Sequence, residues 1–446
     1  MGESSARLRP ASACAGRDVG TFPACENPTL PLQVSTLLFC GGVSCGGNGG
    51  SEAAVSVNRY GEWIISTKAH STAVSPDRER VYSFDLEGRP ISWFESDRVY
   101  KRGLDSRVHL RFRPSDSRNA TRTRRVLSDR EATERLDGVL AVVAEFPLAR
   151  ADPQVRRRIR KILAWSGKTL GEERTRFCAA YRPIPILPPD EYFSIVLQAT
   201  FGCTWNACTF CSFYLDRNFS LRPLDRFREH LEQVRALLGE AAALRRRLFL
   251  ADGNALMLAN DRLIPIIEAA GNVFPDRSFS GFVDVFSGRK KSVEQWRLLY
   301  ERGLRRVHVG IETGLDDLLR FVNKPGSAKE SLDFLQTLAS AKIDRSLILM
   351  AGLGGRRYAS AHREATLDLL SKMELGPRDI VYVSPFHEPT PSDGGESAYA
   401  HRAAAEKIEP LSSEETRAEA ALLARKIRAL QPHPRIAPYE LAEFFY

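Results

Sequence analysis

Three cysteines stand close together in Gly202-Cys203-Thr204-Trp205-Asn206-Ala207-Cys208-Thr209-Phe210-Cys211. Thiolates are soft ligands, and three on one short loop suit a soft metal or an iron–sulfur cluster. A cubane held by three thiolates keeps one iron open for a substrate or cofactor, whereas a structural zinc site is closed by four ligands. Zinc would need a fourth ligand from elsewhere, such as His230 or His387. The chain has eight cysteines and none follows Cys211. That is unlike a disulfide-stapled secreted protein, and it argues against a second, C-terminal cluster with cysteine ligands. Cys40 and Cys45, set among glycines, make only a weak case for an accessory metal site.

These cysteines follow an apolar run, Ser194–Thr200, that opens a repeating rhythm of strand and helix. Further strands are expected at Arg247–Ala251, Gly281–Phe286, Arg306–Ile311, Ser346–Met350 and Asp379–Ser384. Helices are expected between them, at Asp225–Leu238, Ser292–Arg302, Ala328–Ala341 and Ala359–Lys372. Six such units imply a parallel sheet covered by helices and curled into a partial or full (β/α) barrel. Ligands bind such sheets at the carboxyl ends of the strands. Four polar or Gly-rich motifs fall near those ends: Asp252-Gly253-Asn254, Asp284, Gly310-Ile311-Glu312-Thr313-Gly314 and Gly352-Leu353-Gly354-Gly355. A carboxylate and open carbonyls beside Gly253 suit an ammonium ion. Asp284, between apolar neighbours, is the candidate catalytic residue, for substrate binding or proton transfer; a carboxylate tied to a barrel arginine is the competing reading. Gly352 and its neighbours lack the dinucleotide spacing Gly-x-Gly-x-x-Gly.

The cysteine loop resembles that of the radical S-adenosylmethionine (radical SAM) superfamily, whose usual spacing is Cys-x3-Cys-x2-Cys. Here it is Cys-x4-Cys-x2-Cys, similar to a variant with a Trp-Asn-like pair between the first two cysteines. The resemblance covers about residues 190–390. It implies a [4Fe–4S] cluster on Cys203, Cys208 and Cys211, with S-adenosylmethionine chelating the open iron. Phe210 matches the aromatic before the last cysteine. Asp252-Gly253-Asn254 stands where the family places an acidic, Gly-rich contact to the methionine amino group. Glu312, with Thr313 beside it, would meet the ribose or the methionine end. Lys324, in Asn323-Lys324-Pro325-Gly326, would approach the cofactor pocket, and Gly352 would let the backbone approach the adenosine. The implied chemistry is reductive cleavage of S-adenosylmethionine, fed by a reductant such as flavodoxin or ferredoxin. The resulting 5′-deoxyadenosyl radical would abstract hydrogen from a substrate.

The remaining chain supports this core. Residues 1–54 are rich in Gly, Ser, Ala and Pro and lack periodicity, so disorder or an over-extended gene start is expected there. Residues 55–182 alternate β-like runs (Trp63–Ile65, Val81–Phe84, Ile91–Phe94, Val108–Phe112) with an Arg-rich link at 113–125 and two helices. The helices start at Ser128, with Glu131 completing a capping box, and at Asp152-Pro153. This reads as an N-terminal α/β accessory domain, followed by the barrel at 183–391 behind a proline-rich linker. Residues 392–446 add a helix from Ser412 and an aromatic tail expected to dock as a lid over the barrel mouth.

Net charge is +9, but residues 98–182 alone carry 22 Lys/Arg against 10 Asp/Glu, a net of +12. Such a block can contact nucleic acid or be a solvated surface. No base-reading module accompanies it, so a small-molecule substrate is favoured over RNA or protein. A cobalamin-binding signature, Asp-x-His-x-x-Gly, does not occur. No apolar run approaches the roughly 18 residues of a membrane span, and a cytoplasmic location is expected.

Overall fold

The computed structural model describes residues 55–113, 123–389, 396–441 and 444–446. The expectation for residues 1–54, with Cys14, Cys25, Cys40 and Cys45, falls outside the described residues. The chain divides into two compact units, one of residues 1–183 with 237–244, the other of 184–236 with 245–446.

The first unit holds an eight-stranded antiparallel sheet in sequence order: β1 (Ser56–Tyr60), β2 (Trp63–Thr67), β3 (Thr72–Ser75), β4 (Val81–Phe84), β5 (Pro90–Glu95), β6 (Arg98–Arg102), β7 (Val108–Phe112) and β8 (Thr123–Val126). Its register aligns Ile65, Val74, Tyr82, Trp93, Tyr100 and Leu110 in one row across six strands. That buried row packs against α1 (Asp129–Ala144), α2 (Pro153–Leu163) and α3 (Gly167–Ala180) through Leu136, Val139, Val155, Ile159 and Leu170. Ser128 caps α1 with Glu131 in a capping box, and Asp152 caps α2 through Val155 N. The sequence reading missed β1, β3, β6, β8 and α3. β6 and β8 are arginine-rich with one polar face, and Gly167 and Gly171 weaken the helical signal of α3.

The second unit is a seven-stranded parallel sheet. Its strands are β9 (Ser194–Gln198), β12 (Arg247–Ala251), β13 (Ser278–Asp284), β14 (Leu304–Glu312), β15 (Asp344–Ala351), β16 (Ile380–Pro385) and β17 (Arg435–Pro438), hydrogen-bonded in that order. A short ribbon, β10 (Thr200–Phe201) with β11 (Ser220–Leu221), stands beside it. The intervening helices are α4 (Leu224–Leu238), α5 (Asn260–Val273), α6 (Val285–Gly288), α7 (Val293–Glu301), α8 (Asp316–Phe321), α9 (Ala328–Ser340), α10 (Gly355–Ser371), α11 (Ala398–Ala405) and α12 (Ser413–Leu430). The sheet is strongly curled. Arg247 of β12, Arg306 of β14 and Tyr382 of β16 all converge on Asp190, just ahead of β9. β9 and β17 remain its two edges, so the barrel is partial.

The aromatic tail does not cover the mouth. Tyr446 Oη accepts from Val196 N at 2.8 Å and donates to Ser194 O at 3.1 Å, at the start of β9 and opposite the end that leads into the cysteines. An edge strand presents unpaired backbone groups, and the phenol satisfies two of them. No helix among the described residues is long and apolar enough to cross a membrane.

Candidate functional site

The β10–β11 ribbon closes a loop over residues 202–219, and this loop carries Cys203, Cys208 and Cys211 as free, half-buried thiols. Cys178, in the first unit, is disulfide-bonded. Burial pushes the Cys208 thiol up to about 11 and the Cys211 thiol up to about 12, because a thiolate is poorly solvated there; Lys324 pulls both the other way.

The donor set fits an iron–sulfur cluster better than zinc. One zinc at about 2.3 Å from each sulfur would draw the thiols to about 3.8 Å of one another. Among the described residues, the group of three candidate ligands lying within 4.8 Å of one another is Asp190, Glu191 and His308, not the cysteines. Each cysteine of a cubane binds its own iron and needs the wider spacing. His230 Nε2 is taken by the Gln198 amide at 3.0 Å, and His387 faces Glu440 at 4.0 Å, so neither completes a zinc site.

One wall of the loop is the end of β12. Asp252, 1% exposed, accepts from Gln198 Nε2 and Gly202 N, both at 3.0 Å, and pairs with Arg217 at 3.3 Å. Burial raises the Asp252 pKa against those partners. Gly253 leaves room for the Tyr214 ring, since a Cβ there would stand 2.6 Å from Tyr214 Cε2. Asn254, fully buried, donates to Thr204 Oγ1 at 2.7 Å, to Ser287 Oγ at 3.1 Å and to Asp284. All three residues of this motif thus engage the cysteine loop or the strand at its flank.

The opposite wall is built by β14 and the turn after α8. A β-bulge between Gly310 and Glu312 and a φ of +63° at Glu312 re-aim its carboxylate back over Gly310. A Cβ on Gly310 would come within 2.4 Å of Glu312 Oε1. Lys324 Nζ reaches the same oxygen at 3.1 Å. Burial alone would lower the Lys324 ammonium; Glu312 and Cys208 outweigh it and raise its pKa, so it stays charged.

The remaining expected site residues have partners within the protein, and Asp284 stays within electrostatic reach of Cys208 and Lys324. Asp284 caps α6 through Ser287 N at 2.6 Å and also accepts from Ser287 Oγ and Asn254, so its lone pairs are largely engaged. Phe210 packs into the apolar cluster of Leu318, Phe321, Val322 and Met350. Thr313 is fully buried and faces His362 Nδ1 at 2.7 Å. Gly352, at φ +84°, makes room for Thr416, whose Cγ2 would lie 2.8 Å from a Cβ there. The sequence reading also missed the plug at the far end of the barrel. There Asp190 and Glu191 face Arg247, Arg306 and His308, while the Tyr382 hydroxyl donates to Asp190 at 2.7 Å. Two arginines already balance its two carboxylates, which favours an ion-pair network over a metal site.

The parallel sheet curls into a partial (β/α) barrel that carries three free thiols on the loop after its first strand. Residues 197–370 match the family model described as the Radical SAM superfamily. Its members are enzymes that use S-adenosylmethionine and a [4Fe–4S] cluster. No curated protein matches the chain in sequence. Among solved structures, coproporphyrinogen III oxidase HemN from Escherichia coli is 18% identical with a TM-score of 0.39, over 58% of this chain and 56% of that one. HydG, a maturase of the [FeFe]-hydrogenase, is 15% identical with a TM-score of 0.37, over 69% and 62%. The cobalamin-dependent S-adenosylmethionine radical enzyme OxsB is 16% identical with a TM-score of 0.34, over 48% and 30%. The chain thus spans less than two thirds of each of these proteins.

Proposed function

We propose that this chain is a radical SAM enzyme whose cluster is held by Cys203, Cys208 and Cys211 and whose substrate is a small molecule enclosed by the partial barrel. The observation that carries this reading is three free thiols on one loop, with Cys208 and Cys211 in electrostatic reach of Lys324 and its buried partner Glu312. When bound, the cluster supplies the electron that splits S-adenosylmethionine into methionine and a 5′-deoxyadenosyl radical, which takes hydrogen from the substrate. Lys324 offers a permanent cation to the methionine carboxylate. Glu312 offers an acceptor to the amino group or the ribose hydroxyls. Asp252, Gly253 and Asn254 hold the cysteine loop, and Asp284 orients Asn254 rather than moving a proton. The plug of Asp190 and Glu191 with Arg247, Arg306 and His308 fills the barrel's far end, which supports a compact substrate entering at the mouth. A flavodoxin or ferredoxin as reductant and a cytoplasmic setting belong to the same reading.

The test is anaerobic purification and reconstitution, with iron and sulfide assayed and 5′-deoxyadenosine measured after dithionite and S-adenosylmethionine are added. The triple change of Cys203, Cys208 and Cys211 to Ala should abolish both cluster and product. Zinc without iron under strict anaerobiosis, or full iron in the triple variant, would overturn the assignment. Deuterium transfer from candidate metabolites into 5′-deoxyadenosine would then identify the substrate.

A further inference from the structure

The Cys-x4-Cys spacing carries one residue more than the commonest form, and the added length has a visible use. Trp205 Nε1 donates to Asn323 O at 2.7 Å. Asn323 Nδ2 donates back to Ala207 O at 2.8 Å, and Thr209 N donates to Val322 O at 3.0 Å. Three hydrogen bonds therefore staple residues 205–209 to residues 322–323, immediately before Lys324.

Asn323 also ends α8. Its φ is +54°, its N–H donates to Arg320 O at 3.1 Å, and Lys324 N donates to Leu319 O at 2.9 Å. This is a Schellman termination, whose left-handed position is usually glycine. Glycine would serve the turn with less strain, but it has no amide to reach Ala207. Trp205 shows a similar preference for the bond over burial: it is 42% exposed, an unfavourable place for an indole, yet its N–H is used.

We propose that Trp205 and Asn323 are positioning residues that lock Lys324 to the cysteine loop, so that the ammonium and the three thiols keep one fixed geometry for the amino-acid end of S-adenosylmethionine. This rests on the cofactor reading above. Neither residue need touch the cofactor; both act through Lys324 and the loop.

The test uses cluster-loaded, full-length protein. Trp205→Phe removes the indole N–H but keeps an aromatic ring. Asn323→Gly keeps the left-handed turn but removes the amide. S-adenosylmethionine affinity is read from its perturbation of the reduced cluster's electron paramagnetic resonance signal, with iron content and amide hydrogen exchange measured on the same samples. Each change should weaken affinity on the order of tenfold while iron stays at the wild-type level. The double variant should be no weaker than the worse single, and both changes should be silent in a Lys324→Ala background. Exchange at 207–211 and at 322–324 should quicken together whichever partner is changed. Unchanged affinity, iron lost in step with affinity, or additive losses that persist in Lys324→Ala would overturn the proposal. If the unsubstituted protein binds no S-adenosylmethionine, the cofactor reading fails, and exchange decides the clamp: quickening confined to the substituted segment overturns it, and quickening in both supports it.

Discussion

Asn254 Nδ2 donates to Thr204 Oγ1 at 2.7 Å, tying the end of β12 to the residue that follows the first loop cysteine. The same amide also serves Ser287 and Asp284, so two hydrogens are shared among three acceptors. Removing it strands buried polar groups, at a cost of about 1–3 kcal/mol. Asn254→Ala should lower the thermal midpoint and speed iron loss from the reconstituted protein during desalting. Iron retention equal to wild type would show that the loop does not depend on this tie.

Gly310 is the space in which the Glu312 carboxylate lies. Gly310→Ala would place a methyl 2.4 Å from Glu312 Oε1 and 3.4 Å from Lys324 Nζ. The carboxylate must then move off Lys324. The expected result is a cluster at wild-type content with S-adenosylmethionine binding weakened on the order of tenfold, close to that of Glu312→Ala. Normal cofactor affinity in Gly310→Ala would remove Glu312 from the binding site.

Much of the core was legible because parallel strands buried on both faces are written as unbroken apolar runs. Arg247–Ala251 was read with its boundaries as they stand, and β9, β14, β15 and β16 within two residues at either end. β17 was not, because Arg435–Pro438 is four residues long and carries a proline that only an edge strand tolerates. At the site, spacing located the three cysteines but could not say where side chains point. Thr313 sits one residue from Glu312 and, as side chains alternate along extended backbone, faces His362 instead. Gly352 was legible as a backbone requirement, but its closeness to Thr416, 64 positions away in sequence, was not. The Trp205–Asn323 bond joins residues 118 positions apart, and no local pattern announces it.

His362 gives the second unit a pH dependence. Burial, with Arg363 nearby, holds its imidazole down to about 4, whereas the unfolded chain titrates near 6.5. The unfolded state therefore binds the proton first. The neutral, buried imidazole contributes its stability fully above about 6.5, and that contribution is lost as pH falls towards 4. The loss approaches about 3 kcal/mol at the acid end. Denaturant unfolding between pH 7 and pH 4 should show this slope, and His362→Gln should reduce it. An unchanged slope in the variant would place the acid sensitivity elsewhere.

The basic helix α2 offers one test of whether RNA is the substrate. Arg156, Arg157, Arg160 and Lys161 line an open groove with Pro153 and Ala164. Lys161 is already paired with Glu240 at 2.7 Å, and Arg156 donates to Ala151 O at 2.9 Å. Arg158 is half-buried, and burial lowers its pKa. Exposed cations are thus Arg157 and Arg160, few for a specific polyanion site. Each phosphate contact to a single strand adds about 0.7 to the slope of log affinity against log salt. Changing both arginines to Ser should flatten that slope by roughly 1.4 and leave 5′-deoxyadenosine formation untouched. RNA binding should be weak and unselective at physiological salt throughout. Selective retention of one RNA species by the wild type, lost in the double variant, would instead make RNA the substrate and α2 its docking surface.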